Sequence, residues 1–214
     1  MSAFRTFDLS APGMVFEEGA LRVHSLGGGT LALAEHATYW LLVTVGNCEV
    51  QLGEDRFTLR RDCYLVTPGP GLLAGGRGMV IEQADYRGVR QFGGPLEPRG
   101  RLRYVDGCTD TLLVCPARLG EPCLNHLHIP AHTHQSEHTH PSLRLGVIAR
   151  GAGVCRTPAG DTALREGLGW VIAPDHVHCF ITNEGPLDVF AWHPDSDFGP
   201  TDRDHPMWNR TILQ

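Results

Sequence analysis

The chain repeats a strand–turn–strand unit at a fixed offset, and that repeat limits the folds open to it. Leu41-Leu-Val-Thr-Val-Gly46 reads as an apolar strand ended by glycine. Cys48-Glu-Val-Gln-Leu follows, then a polar turn at Gly53-Glu-Asp, then Phe57-Thr-Leu-Arg-Arg-Asp and Tyr64-Leu-Val-Thr-Pro-Gly. The same order returns as Gly146-Val-Ile-Ala-Arg-Gly151, Val154-Cys-Arg-Thr-Pro, a turn at Ala159-Gly-Asp, Ala163-Leu-Arg-Glu-Gly and Trp170-Val-Ile-Ala-Pro. Gly46 and Gly151, Leu59 and Leu164, and Arg60 and Arg165 are each separated by 105 positions. Three anchors at one spacing, in one order, read as an internal duplication. Short strands joined by turn residues, with almost no helical periodicity, predict an all-β sandwich or barrel. The Gly/Pro-rich segment Gly93-Gly-Pro-Leu-Glu-Pro-Arg-Gly100 marks the junction. It gives an N-terminal unit over 1–98 and a C-terminal unit over 99–214 that includes a tail.

The second half carries the chemistry. Five histidines crowd into His132-Thr-His134-Gln-Ser-Glu-His138-Thr-His140 together with His128, and another stands at His178. On a strand, residues i and i+2 point to one side, so His138-Thr-His140 aims two imidazoles at one point. Imidazole is the commonest metal-donating side chain, so a metal site is expected. The seven cysteines are odd in number and form no C-x-x-C, which argues against a disulfide framework or a Cys-ligated zinc site.

The order of these residues resembles the cupin superfamily, whose motifs run G-x5-H-x-H-x3-E-x6-G and G-x5-P-x-G-x2-H-x3-N. His138, His140, Gly151, Gly167 and His178 fall in that register. With the duplication, the chain resembles a bicupin: two tandem, jelly-roll-like cupin β-barrels, similar to a group of bacterial cupin-domain proteins. It departs from the motif at several places. His132 stands for the first Gly, Ala173 for the Pro, Asp175 for the second-motif Gly and Thr182 for the Asn. Arg144 takes the position of the glutamate ligand. A guanidinium has donors only and cannot ligate a metal.

The resemblance therefore implies an inner shell of three histidines, His138, His140 and His178, holding one divalent transition metal. Fe, Zn, Ni, Mn and Cu stay open, because imidazole does not choose among them. Some cupins with three-His shells are iron dioxygenases, so the resemblance keeps that chemistry open beside isomerase or lyase chemistry. A non-catalytic small-molecule or metal-binding module is the alternative. Arg144 facing a divalent ion at ~5 Å, with an effective dielectric of about 20, would be repelled by roughly 7 kcal/mol. An anionic ligand group between them would relieve this, and Arg takes a carboxylate in a two-bond fork. Arg144 could instead pair with a nearby acid and turn away.

Subtracting 105 maps His138, His140, Arg144 and His178 onto Leu33, Glu35, Tyr39 and Leu73. The N-terminal unit is thus expected to lack the ligands, and to pack against its twin or lend it strands. His126 and His128 alternate with apolar residues and are candidate acid/base groups if their face is the inner one. His193, ending Leu187-Asp-Val-Phe-Ala-Trp-His, is a candidate fourth ligand or general base. His132 and His134 are either extra ligands or an exposed loop cluster, and the turn they occupy, which holds imidazoles less firmly than a strand, favours the second. The Asp/Pro-rich tail reads as laid over a barrel or across a dimer interface, with Phe198, Met207 and Trp208 as buried anchors.

The net charge of −6 argues against nucleic acid as a partner. The one local basic run, Arg99, Arg101 and Arg103, reads as a solvated linker. No run of 18 apolar residues occurs, so no membrane span is expected. The N-terminus lacks the apolar stretch of a signal peptide, which favours a cytoplasmic location. Partners are expected to be a small anionic molecule and, by analogy with cupins, a second copy in a homodimer.

Overall fold

The computed structural model describes residues 3–208 and 210–214. Nineteen strands and one short 3-10 turn form the regular structure among them. In chain order the first eleven are β1 (Phe4–Asp8), β2 (Gly13–Glu18), β3 (Leu21–Ser25), β4 (Thr30–Leu33), β5 (Ala37–Val45), β6 (Asn47–Leu52), β7 (Asp55–Arg60), β8 (Tyr64–Pro68), β9 (Gly71–Ala74), β10 (Arg77–Ala84) and β11 (Gln91–Gly93). The remaining eight are β12 (Leu102–Arg103), β13 (Thr109–Val114), β14 (Cys123–Ile129), β15 (Arg144–Thr157), β16 (Gly160–Arg165), β17 (Leu168–Ile172), β18 (Cys179–Ile181) and β19 (Leu187–His193). The all-β expectation holds. No helix among the described residues is long and apolar enough to cross a membrane.

The first half forms two sheets, ordered β11-β8-β5-β10-β3-β2 and β4-β9-β6-β7. The second half forms one sheet along β1-β17-β15-β19-β14-β13-β12, with β16 and β18 paired to the far end of β15. The two larger paths share their strand order from the first edge inward, with β8, β5, β10, β3 and β2 answering to β17, β15, β19, β14 and β13. β7 and β16 occupy positions 105 apart. Gly46 and Gly151 both adopt positive φ, at 72° and 83°. In the first half this turn separates β5 from β6. In the second half the strand runs through it, so that β15 pairs with β17 and β19 before Gly151 and with β16 and β18 beyond it.

β1 breaks the division at residue 98. It pairs antiparallel with β17, Phe4 opposite Ile172 and Asp8 opposite Leu168, and so closes the edge of the C-terminal sheet. β11 covers the matching edge of β8. The N-terminal segment thus lends a strand across the junction, one of the two roles expected of it.

Three apolar cores follow from strand parity. Tyr39, Leu41 and Val43 of β5 face Leu59 and Leu73 inside the first half. Trp40 and Leu42, on the other face of β5, pack with Leu145, Val147, Phe190 and Trp192 in the seam between the halves. Ile148, Val189, Trp170 and Phe180 line the interior of the second half. β5 is covered on both faces, which is why it reads as a continuous apolar run rather than an alternating one. Trp40 and Trp192 meet edge to face across the seam, 5.4 Å apart and 64° inclined, a contact worth about 0.5–1.5 kcal/mol beyond its buried area.

Gly146 sits mid-strand for a packing reason. A Cβ there would lie 2.2 Å from Trp170 Cζ2 and 2.5 Å from the Phe190 carbonyl oxygen. Gly146→Ala is expected to cost about 1–3 kcal/mol through overpacking, read as a lowered urea midpoint with unchanged slope. An unchanged midpoint would contradict the packing described.

The tail does not lay its apolar residues over a barrel of its own chain. Phe198, Met207 and Trp208 are 47%, 75% and 58% exposed and anchor nothing within the chain. Hydrogen bonds from Leu119 N to Pro200 O and from Gly120 N to Ser196 O pin only the start of the tail. Beyond that, its Asp- and Pro-rich sequence offers no strand for a sheet to accept.

Candidate metal centre

The segment 131–143 forms no regular strand, contrary to the His-x-His reading. Pro141 holds His140 extended but ends any ladder. The pairing is instead two isolated antiparallel bridges, His134 with Ile181 and His138 with His178, and in the second the two residues exchange both backbone N–H···O bonds at 3.0 Å. That bridge joins two segments far apart in sequence and sets their side chains next to each other. The ring centroids of His138 and His178 lie 4.6 Å apart, and His140 stands 5.1 Å from the first and 5.2 Å from the second. One donor nitrogen from each ring falls within 4.8 Å of the others.

Backbone carbonyls orient the rings. His138 Nδ1 donates to Ser136 O at 2.8 Å, and His178 Nδ1 donates to His176 O at 2.9 Å. Each bond fixes the tautomer and leaves Nε2 as the donor to an ion, the usual support for metal-binding histidine. Burial, with Arg144 and the neighbouring imidazoles adding to it, lowers the pKa of His140 to about 3. Burial also lowers that of His178 to about 4. Both rings are therefore neutral at pH 7, the form that binds metal. The donor set fits one divalent transition ion.

These shifts set a pH dependence for the ion-free protein. Below the unfolded pKa of about 6.5, the unfolded imidazoles take up protons that the folded ones refuse. Stability should fall as pH drops from about 6.5 toward 4. Denaturation of chelator-treated protein at pH 7 and pH 5 checks this, and a higher midpoint at pH 5 would contradict it.

Two departures from the motif prove conservative in backbone terms. His132 and Asp175, which replace glycines, adopt φ of 57° and 56°. His and Asp are among the few non-glycine residues that enter the left-handed region. Gly27, 105 positions before His132, also has positive φ, at 47°. Thr182, in place of the motif Asn, accepts from Thr133 N at 3.0 Å and donates to Pro130 O at 2.5 Å, tying down the turn before His138.

The three rings open onto a cavity of about 360 Å³. Leu127, Trp170, Ile172, Phe180 and Ala191 give it apolar walls, and Leu102, Arg103 and Tyr104 are part of its lining. Arg103, read from sequence as part of a solvated linker, thus belongs to the site. Arg144 also lines the cavity. Its hydrogen bonds, to Ser142 O, Ser142 Oγ and Leu143 O, all run through Nη1. Asp195 is 3.8 Å from the same nitrogen. Arg144 is therefore braced by its neighbours yet still faces the cavity.

The other candidates are placed differently. His193 reaches the cavity but is not among the clustered donors. Its Nδ1 donates to Asp195 O, so Nε2 is an acceptor, and Cys123 Sγ sits 2.8 Å from it. With both nitrogens engaged, His193 is no fourth ligand here. Burial pushes the Cys123 thiol up to about 12, which keeps its proton on sulfur. His126 and His128 share the parity of Leu124 and lie on the seam face of β14, whereas Asn125 and Leu127 face the cavity. They are not cavity acid/base groups. Alternation alone could not say which face was inner.

Sequence reasoning passed over Gln135, Asp110 and Asn125. Gln135 is 2% exposed, accepts from Phe180 N at 3.1 Å and lines the cavity. Asn125 Nδ2 donates to Asp110 Oδ1 at 2.7 Å on the cavity wall. Burial raises the pKa of Asp110. The one available signal was that Asn125 alternates with His126.

In the first half the equivalent space is filled. Leu33, Leu73 and Tyr39 are buried in the apolar core, and the Tyr39 hydroxyl accepts from Ala34 N at 2.8 Å. Glu35 is exposed rather than lining that core.

This fold and this cluster define the class: an all-β protein with the cupin fold and a histidine group suited to metal. Known structures agree at the level of fold. A cupin 2 conserved barrel domain protein from Leptotrichia buccalis superposes with a TM-score of 0.61 at 11% identity, covering 89% of this chain and 88% of its own. Ylba from E. coli gives 0.65 at 13%, covering 92% and 93%. A salicylate 1,2-dioxygenase mutant from Pseudoaminobacter salicylatoxidans, in complex with gentisate, gives 0.61 at 13%, covering 81% and 68%. No protein-family model and no curated protein matches the sequence.

Proposed function

We propose that the chain is a bicupin, with a ligand-free unit over 1–98 and a metal-binding unit over 99–214, acting as a mononuclear three-His metalloenzyme on a small anionic molecule. The observation that carries this reading is the convergence of three imidazoles, two of them anchored through Nδ1, beside a cavity that also holds Arg144. The 105-residue repeat, the matching strand orders and the paired positive-φ positions support the duplication.

His138, His140 and His178 would hold the ion. When bound, a divalent transition metal supplies Lewis-acid polarisation or, if it is iron, oxygen chemistry. The chain's own residues do the rest. Arg144 and Arg103 draw an anionic group inward, and the braced Arg144 fixes its direction. The apolar walls exclude water from the body of the ligand and strengthen those charge interactions. His193, already accepting through Nε2, holds Cys123 rather than moving a proton. The shared fold with a salicylate 1,2-dioxygenase favours the oxygenase branch and a carboxylate-bearing ligand.

Elemental analysis of the purified protein, followed by oxygen-uptake assays on hydroxy-acid, thiol and diketone panels, tests the proposal. One transition ion per three-His centre and turnover of a carboxylate are expected. An ion-bearing protein that binds carboxylates but turns none over would be a binding module instead. A protein with no affinity for transition ions would end both readings.

A further inference from the structure

The seam face of β14 carries a second His-x-His pair, His126-Leu-His128, and the same i, i+2 geometry applies to it. Asp188 of β19 stands directly opposite His128 in the strand register. His126 Nε2 and His128 Nδ1 are each 2.8 Å from one carboxylate oxygen, Asp188 Oδ1. The three donor atoms lie within 4.8 Å of one another. We propose that His126, His128 and Asp188 bind a second divalent transition ion, distinct from the three-His centre.

Two imidazoles and one carboxylate are a donor set that takes Zn²⁺ or Fe²⁺. An ion with bonds of about 2.0–2.1 Å sets tetrahedral donors roughly 3.3 Å apart. Measured from Asp188 Oδ1, the two 2.8 Å contacts need about half an ångström of outward movement by each ring to reach that spacing. The strands already supply the convergence, and side-chain rotation supplies the remainder.

The surroundings suit a ligating carboxylate. Arg150 Nε lies 3.3 Å from Asp188 Oδ2, an ion pair without hydrogen-bond geometry that draws one oxygen toward the guanidinium while the other faces the rings. Arg150 is itself fixed, donating through Nη2 to Glu97 O at 2.9 Å and to Leu96 O at 3.4 Å. Metal-binding carboxylates are commonly oriented by such a partner. Asp62 Oδ2 is 3.7 Å from Arg150 Nε. Asp188 and Asp62 against Arg150 leave one net negative charge, and Arg61 and Glu166, paired at 2.9 Å beyond them, cancel. A cation completes that balance. Asp188 and His126 are 7% and 1% exposed at the side chain, which strengthens the attraction.

Access comes from the seam side. A cleft of about 680 Å³, lined by Arg150, Asp188 and the turn over Asn183–Pro186, reaches Asp188 and can supply a water as fourth ligand. Asp62 follows β7, and Leu96 and Glu97 belong to the junction segment.

The test uses the full chain carrying His138→Ala, His140→Ala and His178→Ala, stripped with chelator and titrated with Zn²⁺ and Co²⁺. One equivalent should bind, Zn²⁺ should raise the thermal midpoint, and Co²⁺ should develop visible bands of a tetrahedral N/O site. Adding His128→Gln should weaken binding at least 10-fold, and Asp188→Asn should abolish it. If Asp188→Asn does not fold, His128→Gln alone decides, because that ring is partly exposed and glutamine fills its place. Failure of the triple variant to bind, or full binding after His128→Gln, would overturn the proposal. An ion retained in the triple variant but missing in equal measure from the wild type's three-His centre would count against that centre and leave this one standing.

Discussion

His178→Ala should lower tightly bound metal by one equivalent per chain and weaken the three-His centre by more than about 100-fold. The bound is a minimum, because loss of an outer partner to a metal-binding histidine already costs about 10–100-fold, and this change removes a ligand. His178 is singular among the three. It is the one buried ring of the three, at 1% exposure, so a neighbour is least able to take its place. Competition with a chromophoric chelator measures the effect. Far-UV circular dichroism should stay native, since the bridge between His138 and His178 is made by backbone atoms that the substitution keeps. An unchanged stoichiometry in the folded variant would refute the assignment.

Arg144→Met should weaken binding of a carboxylate ligand by about 10- to 100-fold. Hydrogen bonds to charged groups are worth roughly 1.5–3 kcal/mol, and about 1.4 kcal/mol is tenfold in affinity. Arg144→Lys should recover little, because an ammonium cannot reproduce the planar fork. Metal content should be unchanged or rise, since a cation that repels the ion has gone. Calorimetry with a carboxylate and its neutral amide reads the result. Equal affinity of the wild type for both would sink the role given to Arg144, and loss of the ion in Arg144→Met would show that it acts on the centre instead.

The all-β class and the strand-turn rhythm could be read directly, because period-2 patterns and turn residues are local. The His138, His140 and His178 group was legible because a motif spacing fixes backbone positions. Even its departures obeyed this, with His132 and Asp175 taking the left-handed backbone that glycine would have taken. What failed were statements about faces and distant partners. His126 and His128 alternate just as inner residues do, but β14 is covered on both sides, by the seam and by the cavity. Alternation then carries no inside or outside. His193 reads in sequence as a candidate fourth ligand or general base, and its ring nitrogens instead meet Cys123 and Asp195.

By itself the sequence determined which residues are extended, where the chain turns, and which imidazoles stand two apart. Those are properties of neighbouring peptide units and their sterics. Tertiary structure alone decided that β1 crosses to β17, that His138 meets His178 through one bridge, and that Asp188 faces a second histidine pair. Each depends on packing two sheets back to back over Trp40 and Trp192. Burial gained over the whole seam, not any local preference, selects that arrangement.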